Sequence, residues 1–157
     1  MTNTGRPIAF WVIVVFFVGS IAGLLMVQTL SVFYYDTAVK LGFQENTQTS
    51  SEFGVQFNRA FGVADTLIYV PLLVLSLIGL FLKKRWSLIT TGAVMAICAY
   101  WPLVIGSMLL FLPGVQGYNF NPSLGHWSFL GIHIVVGVWG FIYVVFRGDD
   151  LIQNLEQ

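Results

Sequence analysis

Polar and apolar positions in this chain separate into long blocks rather than short alternations. No formally charged residue lies between Arg6 and Asp36, and the stretch from Pro7 to Phe33 is almost wholly apolar. Crossing a hydrocarbon core of ~30 Å takes about 20 helical residues. The first block therefore predicts a membrane span over about 8–34, long enough to tilt or project. It is too long for a signal-peptide core and lacks a small-x-small cleavage site, so it predicts a retained helix. Later blocks predict spans over about 60–82 (interrupted by Asp65), 86–112 and 125–146. The last two are divided without any charge. Leu112-Pro113-Gly114 stops a helix, Tyr118 to Pro122 form a loop, and Ser123 starts the next helix.

The sizeable polar stretch is the loop over 40–58, with its QENTQTSSE run. Thr49 and Glu52 have the spacing of a capping box. Phe53, Phe57 and Phe61 recur every four residues, with Glu52, Gln56 and Arg59 on the opposite face. This pattern predicts a short amphipathic helix on the membrane surface, running into the second span; the alternative is a plain extension of that span. At the C-terminus, Asp149-Asp150-Leu151-Ile152 with Leu155 predicts a short, solvated tail helix.

Composition sharpens this into an all-α, polytopic membrane protein, a four-transmembrane-helix bundle. Of 157 residues only 9% are charged and 57% are hydrophobic, against roughly 25% charged in soluble domains. Seven acids and seven bases cannot make a hydrated skin for a domain of this size. Lys83, Lys84 and Arg85 join spans two and three, and Arg6 and Arg147 flank the outermost spans. An even span count puts these five on one side and leaves Lys40 and Arg59 on the other. That bias predicts cytoplasmic N- and C-termini and an outer 40–58 loop. Zero net charge gives no sign of a nucleic-acid partner, and the lone Cys98 has no partner for a disulfide.

Candidate chemistry lies in the few polar residues inside the apolar blocks. An acid in a membrane helix costs at least ~2.5 kcal/mol, so it faces the bundle interior and seeks a partner. Asp65 is such an acid, with Tyr69 and Ser76 on its stripe; Pro71 removes a donor and frees the Leu67 carbonyl. An alternative reading makes Asp65 a brace for the helix end, tied to Arg59 or a tyrosine. Span one carries Gln28, Ser31 and Tyr35 towards Asp36, and span three carries Tyr100 and Trp101 beside Pro102. In span four, His126, His133, Gly137 and Gly140 share a face, and the glycines there, like Gly19 and Gly23 in span one, permit close helix approach. For His133 the competing readings are a packed, hydrogen-bonded residue and a proton carrier. His126 and His133 are roughly 10.5 Å apart along one helix, too far to share a metal ion, and no motif calls for a metal or other cofactor. The polar residues gather in the outer half, which predicts a cavity open to the outer side, suited to an amphipathic or mostly apolar ligand.

The order of features resembles the EXPERA family of four-helix membrane proteins, which includes emopamil-binding protein and the sigma-2 receptor. Asp36, the Asp65-Thr66-Leu67-Ile68-Tyr69-Val70-Pro71 run, the Lys83-Lys84-Arg85-Trp86 turn and Tyr100-Trp101-Pro102 carry it, over the first three spans. The resemblance implies an intramembrane acid pair, Asp36 with Asp65, in a cavity for sterol-like ligands, with isomerase-type proton transfer in some members. Span two lacks a histidine, spans three and four lack an acid, and span four lacks the family's proline break.

Two functional expectations follow. One is a lipid- or sterol-like ligand held by Asp36, Asp65, Tyr69, Tyr100 and His133, with Asp65, Asp36 and His133 as candidates for acid/base chemistry. The other is an accessory or assembly subunit of a larger membrane complex, its small-residue faces packed on partner helices.

Overall fold

The computed structural model describes residues 5–116 and 118–153, and all regular structure among them is helical. Helix α1 (Ile8–Leu24) passes through a wide turn (Leu25–Thr29) into α2 (Leu30–Phe33), and α3 (Tyr35–Lys40) follows a break at Tyr34. Helix α4 (Thr47–Ala64) passes through a second wide turn (Asp65–Tyr69) into α5 (Val70–Phe81). Helices α6 (Trp86–Phe111), α7 (Leu124–Arg147) and α8 (Asp149–Ile152) complete the chain. Four helical runs are long and apolar enough to cross a membrane: Ile8–Phe33, Thr47–Phe81, Trp86–Phe111 and Leu124–Arg147.

The second run starts thirteen residues before the expected span because the amphipathic segment is continuous with it. Its cap also differs from expectation. Asn46 Oδ1, not Thr49, accepts from the Thr49 N–H and hydroxyl, both at 3.0 Å. The helix then breaks at Ser51 (φ 58°, ψ 167°), whose Oγ accepts the Gly54 N–H at 3.3 Å and caps a fresh start. Phe53, Phe57 and Phe61 do form a ladder, with ring centroids 5.9 and 5.0 Å apart.

Neighbouring spans pack in chain order: one on two, two on three, three on four. The tightest seam joins α6 and α7. A methyl group at Gly137 would lie 2.6 Å from the Ala99 backbone nitrogen, and one at Gly140 would lie 2.5 Å from Met95 Sδ. Gly19 and Gly23 behave differently from the expected close approach, since nothing lies within 4 Å of a side chain placed there. The core of Phe10, Ile13, Phe17, Leu73, Leu80 and Met95 fills the half of the bundle nearer the termini.

Arg6 and α8, near the two limits of the described residues, share one end of the bundle. Arg6 donates to Leu80 O (3.1 Å) and Phe81 O (3.2 Å) at the end of α5, and to Leu151 O (2.7 Å) in α8. Leu151 is fully buried, so α8 is docked rather than solvated as expected; Leu155 lies outside the described residues. At the opposite end, Asn119 ties the 112–123 loop to Thr49 O and Gln48 O.

Candidate functional site

The site grows from two irregular turns at the same level. The Val70 N–H donates to Asp65 O and the Leu30 N–H to Leu25 O, the i→i−5 bond of a π turn. Such turns recur at functional positions in helices. In span two the cause is Pro71, which has no N–H to continue the regular ladder. In span one no proline intervenes, and the loosened carbonyls meet side chains instead: Ser31 Oγ donates to Gln28 O at 2.7 Å, and Gln44 Nε2 to Val27 O at 3.4 Å. Thr29 and Thr66 hydroxyls join the two turns at 2.9 Å. Gly62 lets this junction close, because a Cβ there would meet Gln28 O at 2.9 Å.

Beside the junction lies a cavity of about 440 Å³. Asp65 and Tyr69 of span two and Trp101 of span three line it, with Phe129 and His133 of span four opposite. Phe16, Gly19, Gly23 and Gln28 form its span-one wall. Spans one and four do not pack along their length, so the cavity faces the gap between them. Rim residues Val15 and Phe129 are exposed on the outside of the bundle. The opening is therefore lateral, towards the surface that lipid would cover, in addition to the expected polarity towards the loop end.

His133 sits in an aromatic box, with ring centroids 4.1 Å from Phe129, 5.2 Å from Phe16 and 5.7 Å from Trp101. Its Nδ1–H donates to Phe129 O at 2.8 Å, which leaves Nε2 as the free ring nitrogen. The Phe16 contact bridges spans one and four near mid-bundle. His133 also receives a tie through its own backbone, where Cys98 Sγ donates to His133 O at 3.3 Å.

Asp65 is half-buried, and its carboxyl makes no hydrogen bond or ion pair among the described residues. The brace reading fails on this point: Arg59 donates to Val32 O at 3.1 Å and to Gln56 Oε1 at 3.3 Å. The Tyr69 hydroxyl and Gln28 Oε1 are also buried without a partner. Three polar groups thus border a largely apolar cavity, with the Cys98 thiol beside the Tyr69 hydroxyl.

The structure brings Asp65, Tyr69 and His133 together and leaves Asp36 and Tyr100 apart. Asp36 is exposed on α3 and lines a separate polar groove with Lys40, Glu52 and Arg59. The break at Tyr34 turns α3 away from span one, so the expected acid pair does not share a cavity. Tyr100 is 68% exposed on the outside, and its neighbour Trp101 takes the inward place, about 100° round the helix. Phe16, Phe129 and the two glycines were legible only as apolar or packing positions. Comparison with known protein families, with curated proteins and with solved structures finds no match for this chain.

Proposed function

We propose that this protein lies in the membrane with both termini cytoplasmic and binds a hydrophobic or amphipathic, lipid- or sterol-like ligand in the cavity between its four spans. The observation that carries this reading is the Asp65 carboxyl, unpaired beside the buried Tyr69 hydroxyl and Gln28 Oε1 in a largely apolar, aromatic chamber. A polar group buried without a partner costs roughly 1–3 kcal/mol, and a ligand hydroxyl or similar group would offset that cost. The apolar walls would take the rest of the ligand, entering through the gap between spans one and four. The resemblance to the EXPERA family agrees with this ligand class. If a bound double bond is isomerised, one of Asp65 and His133 would give a proton to one carbon of the ligand and the other would take a proton from another carbon, since Asp36 lies elsewhere.

The accessory-subunit alternative calls for small-residue faces open to partner helices. The Gly137 and Gly140 face is already occupied by Met95 and Ala99 of the same chain, and Gly19 and Gly23 line the cavity.

An intrinsically fluorescent sterol tests the proposal, with energy transfer from Trp101 as the readout in purified protein. Saturable transfer is expected, and Trp101→Phe should diminish it. Asp65→Asn should weaken binding about tenfold, by loss of the carboxyl that meets the ligand's polar group, with the thermal unfolding midpoint unchanged. Gly23→Leu, whose Cβ meets nothing within 4 Å and whose branched end takes up chamber volume, should abolish it. Transfer that never saturates, or that both variants leave intact, would sink the proposal.

A further inference from the structure

A second cavity, of about 480 Å³, lies at the end of the bundle away from the termini. It sits between the 41–46 loop with the start of α4 and the end of α6 with the 112–123 loop. Asn119 holds these two loops together through Thr49 O (2.9 Å) and Gln48 O (3.2 Å). No lining residue is shared with the central chamber.

Its floor is apolar, from Met108, Leu109 and Leu112, and Phe43 and Phe120 add aromatic surface. Glu45 is the one formally charged side chain on its wall. The Glu45 carboxylate makes no hydrogen bond or ion pair among the described residues, although its backbone carbonyl accepts from Tyr35 Oη at 2.8 Å. Gln44 is engaged with Asn58, and His126 Nδ1 with Ser123 Oγ at 2.8 Å. The Tyr118 hydroxyl is buried without a partner. Burial, with the Glu45 charge adding to it, pushes the Tyr118 phenol above its ordinary pKa, so it stays a neutral donor.

We propose that this cavity binds the head of an ammonium-bearing amphiphile, as in an ethanolamine phospholipid, with its chain laid along the end of α6. Glu45 takes the ammonium in a charge-assisted hydrogen bond, and the faces of Phe43 and Phe120 supply the aromatic surroundings that favour a cation. The Tyr118 hydroxyl donates to a phosphate or ester oxygen. Among the described residues no lysine or arginine lines the wall, so a purely anionic head has no permanent counter-charge there. The place suits such a head, because this is where spans three and four end and their connecting loop begins.

Native mass spectrometry of the full chain, released from a nonionic detergent, tests this. Ethanolamine and glycerol phospholipids with the same acyl chains are added in equal amounts. The ethanolamine lipid should be retained about tenfold over the glycerol lipid. Glu45→Gln should bring the ratio near one, and Glu45→Asp, which withdraws the charge by one methylene, should fall between. Gly23→Leu, which blocks the central chamber, should leave the preference intact, so failure of the two sites is distinguishable. Dodecylamine should displace the lipid from the wild type if the ammonium alone is read. If it does not, with the preference intact, the phosphate is read too and Tyr118→Phe should lower retention. Equal retention of both lipids by the wild type, or a preference that survives Glu45→Gln, would overturn the proposal.

Discussion

At the scale of single residues, Arg6 shows what one side chain can organise. Its planar guanidinium reaches carbonyls at the end of α5 and in α8 at once, satisfying acceptors that a helix end leaves over. It also lies 4.2 Å over the Phe10 ring. Replacing it with Met keeps the stem but takes the side-chain donor from Phe81 O and Leu151 O, whereas Leu80 O keeps the Lys83 N–H. Partial exposure tempers the loss, so Arg6→Met should cost about 1–2 kcal/mol. Lysine, a point donor, should restore less than half of this. Thermal unfolding in one detergent measures both, and equal stability of Arg6→Lys and wild type would contradict the bridging role.

At the scale of elements, glycines that the sequence offers alike as packing positions do opposite things. Gly137 faces the backbone of Ala99, which cannot yield, whereas Gly140 faces the flexible end of Met95. Gly137→Ala should therefore force α6 and α7 apart and cost about 1–3 kcal/mol, while Gly140→Ala should cost less as Met95 changes rotamer. Gly19→Ala, with nothing within 4 Å, should be neutral or slightly stabilising through helix propensity. A ranking of unfolding midpoints decides this, and a destabilising Gly19→Ala would mean that span one packs where the structure leaves it open.

At the scale of the whole molecule, the test is which end faces the cytoplasm. Arg6, the 82–85 turn and α8 meet at one end, and the 41–58 and 112–123 segments meet at the other. Cysteines introduced at the exposed positions Gln48 and Lys84 report the two ends, and native Cys98 is buried. An impermeant thiol reagent added to intact cells should label the Gln48 variant and spare the Lys84 variant. The reverse pattern would invert the orientation, and labelling of both would break the four-span reading.

The spans were readable from the sequence because crossing a bilayer demands a length of apolar residues that local composition records. Asp65 was readable for the same reason, an acid in an apolar block being costly wherever the chain folds. Which residues share a chamber was decided only by the tertiary structure. Two π turns shift the helical register of spans one and two, and in span three the adjacent Tyr100 and Trp101 are told apart only by how that helix packs. The break at Tyr34 sends Asp36 out of reach of Asp65, and no local pattern announced it. The chamber itself is the gap left where spans one and four fail to pack. A gap between elements distant in sequence belongs to no segment of the chain, so only the assembled bundle contains it.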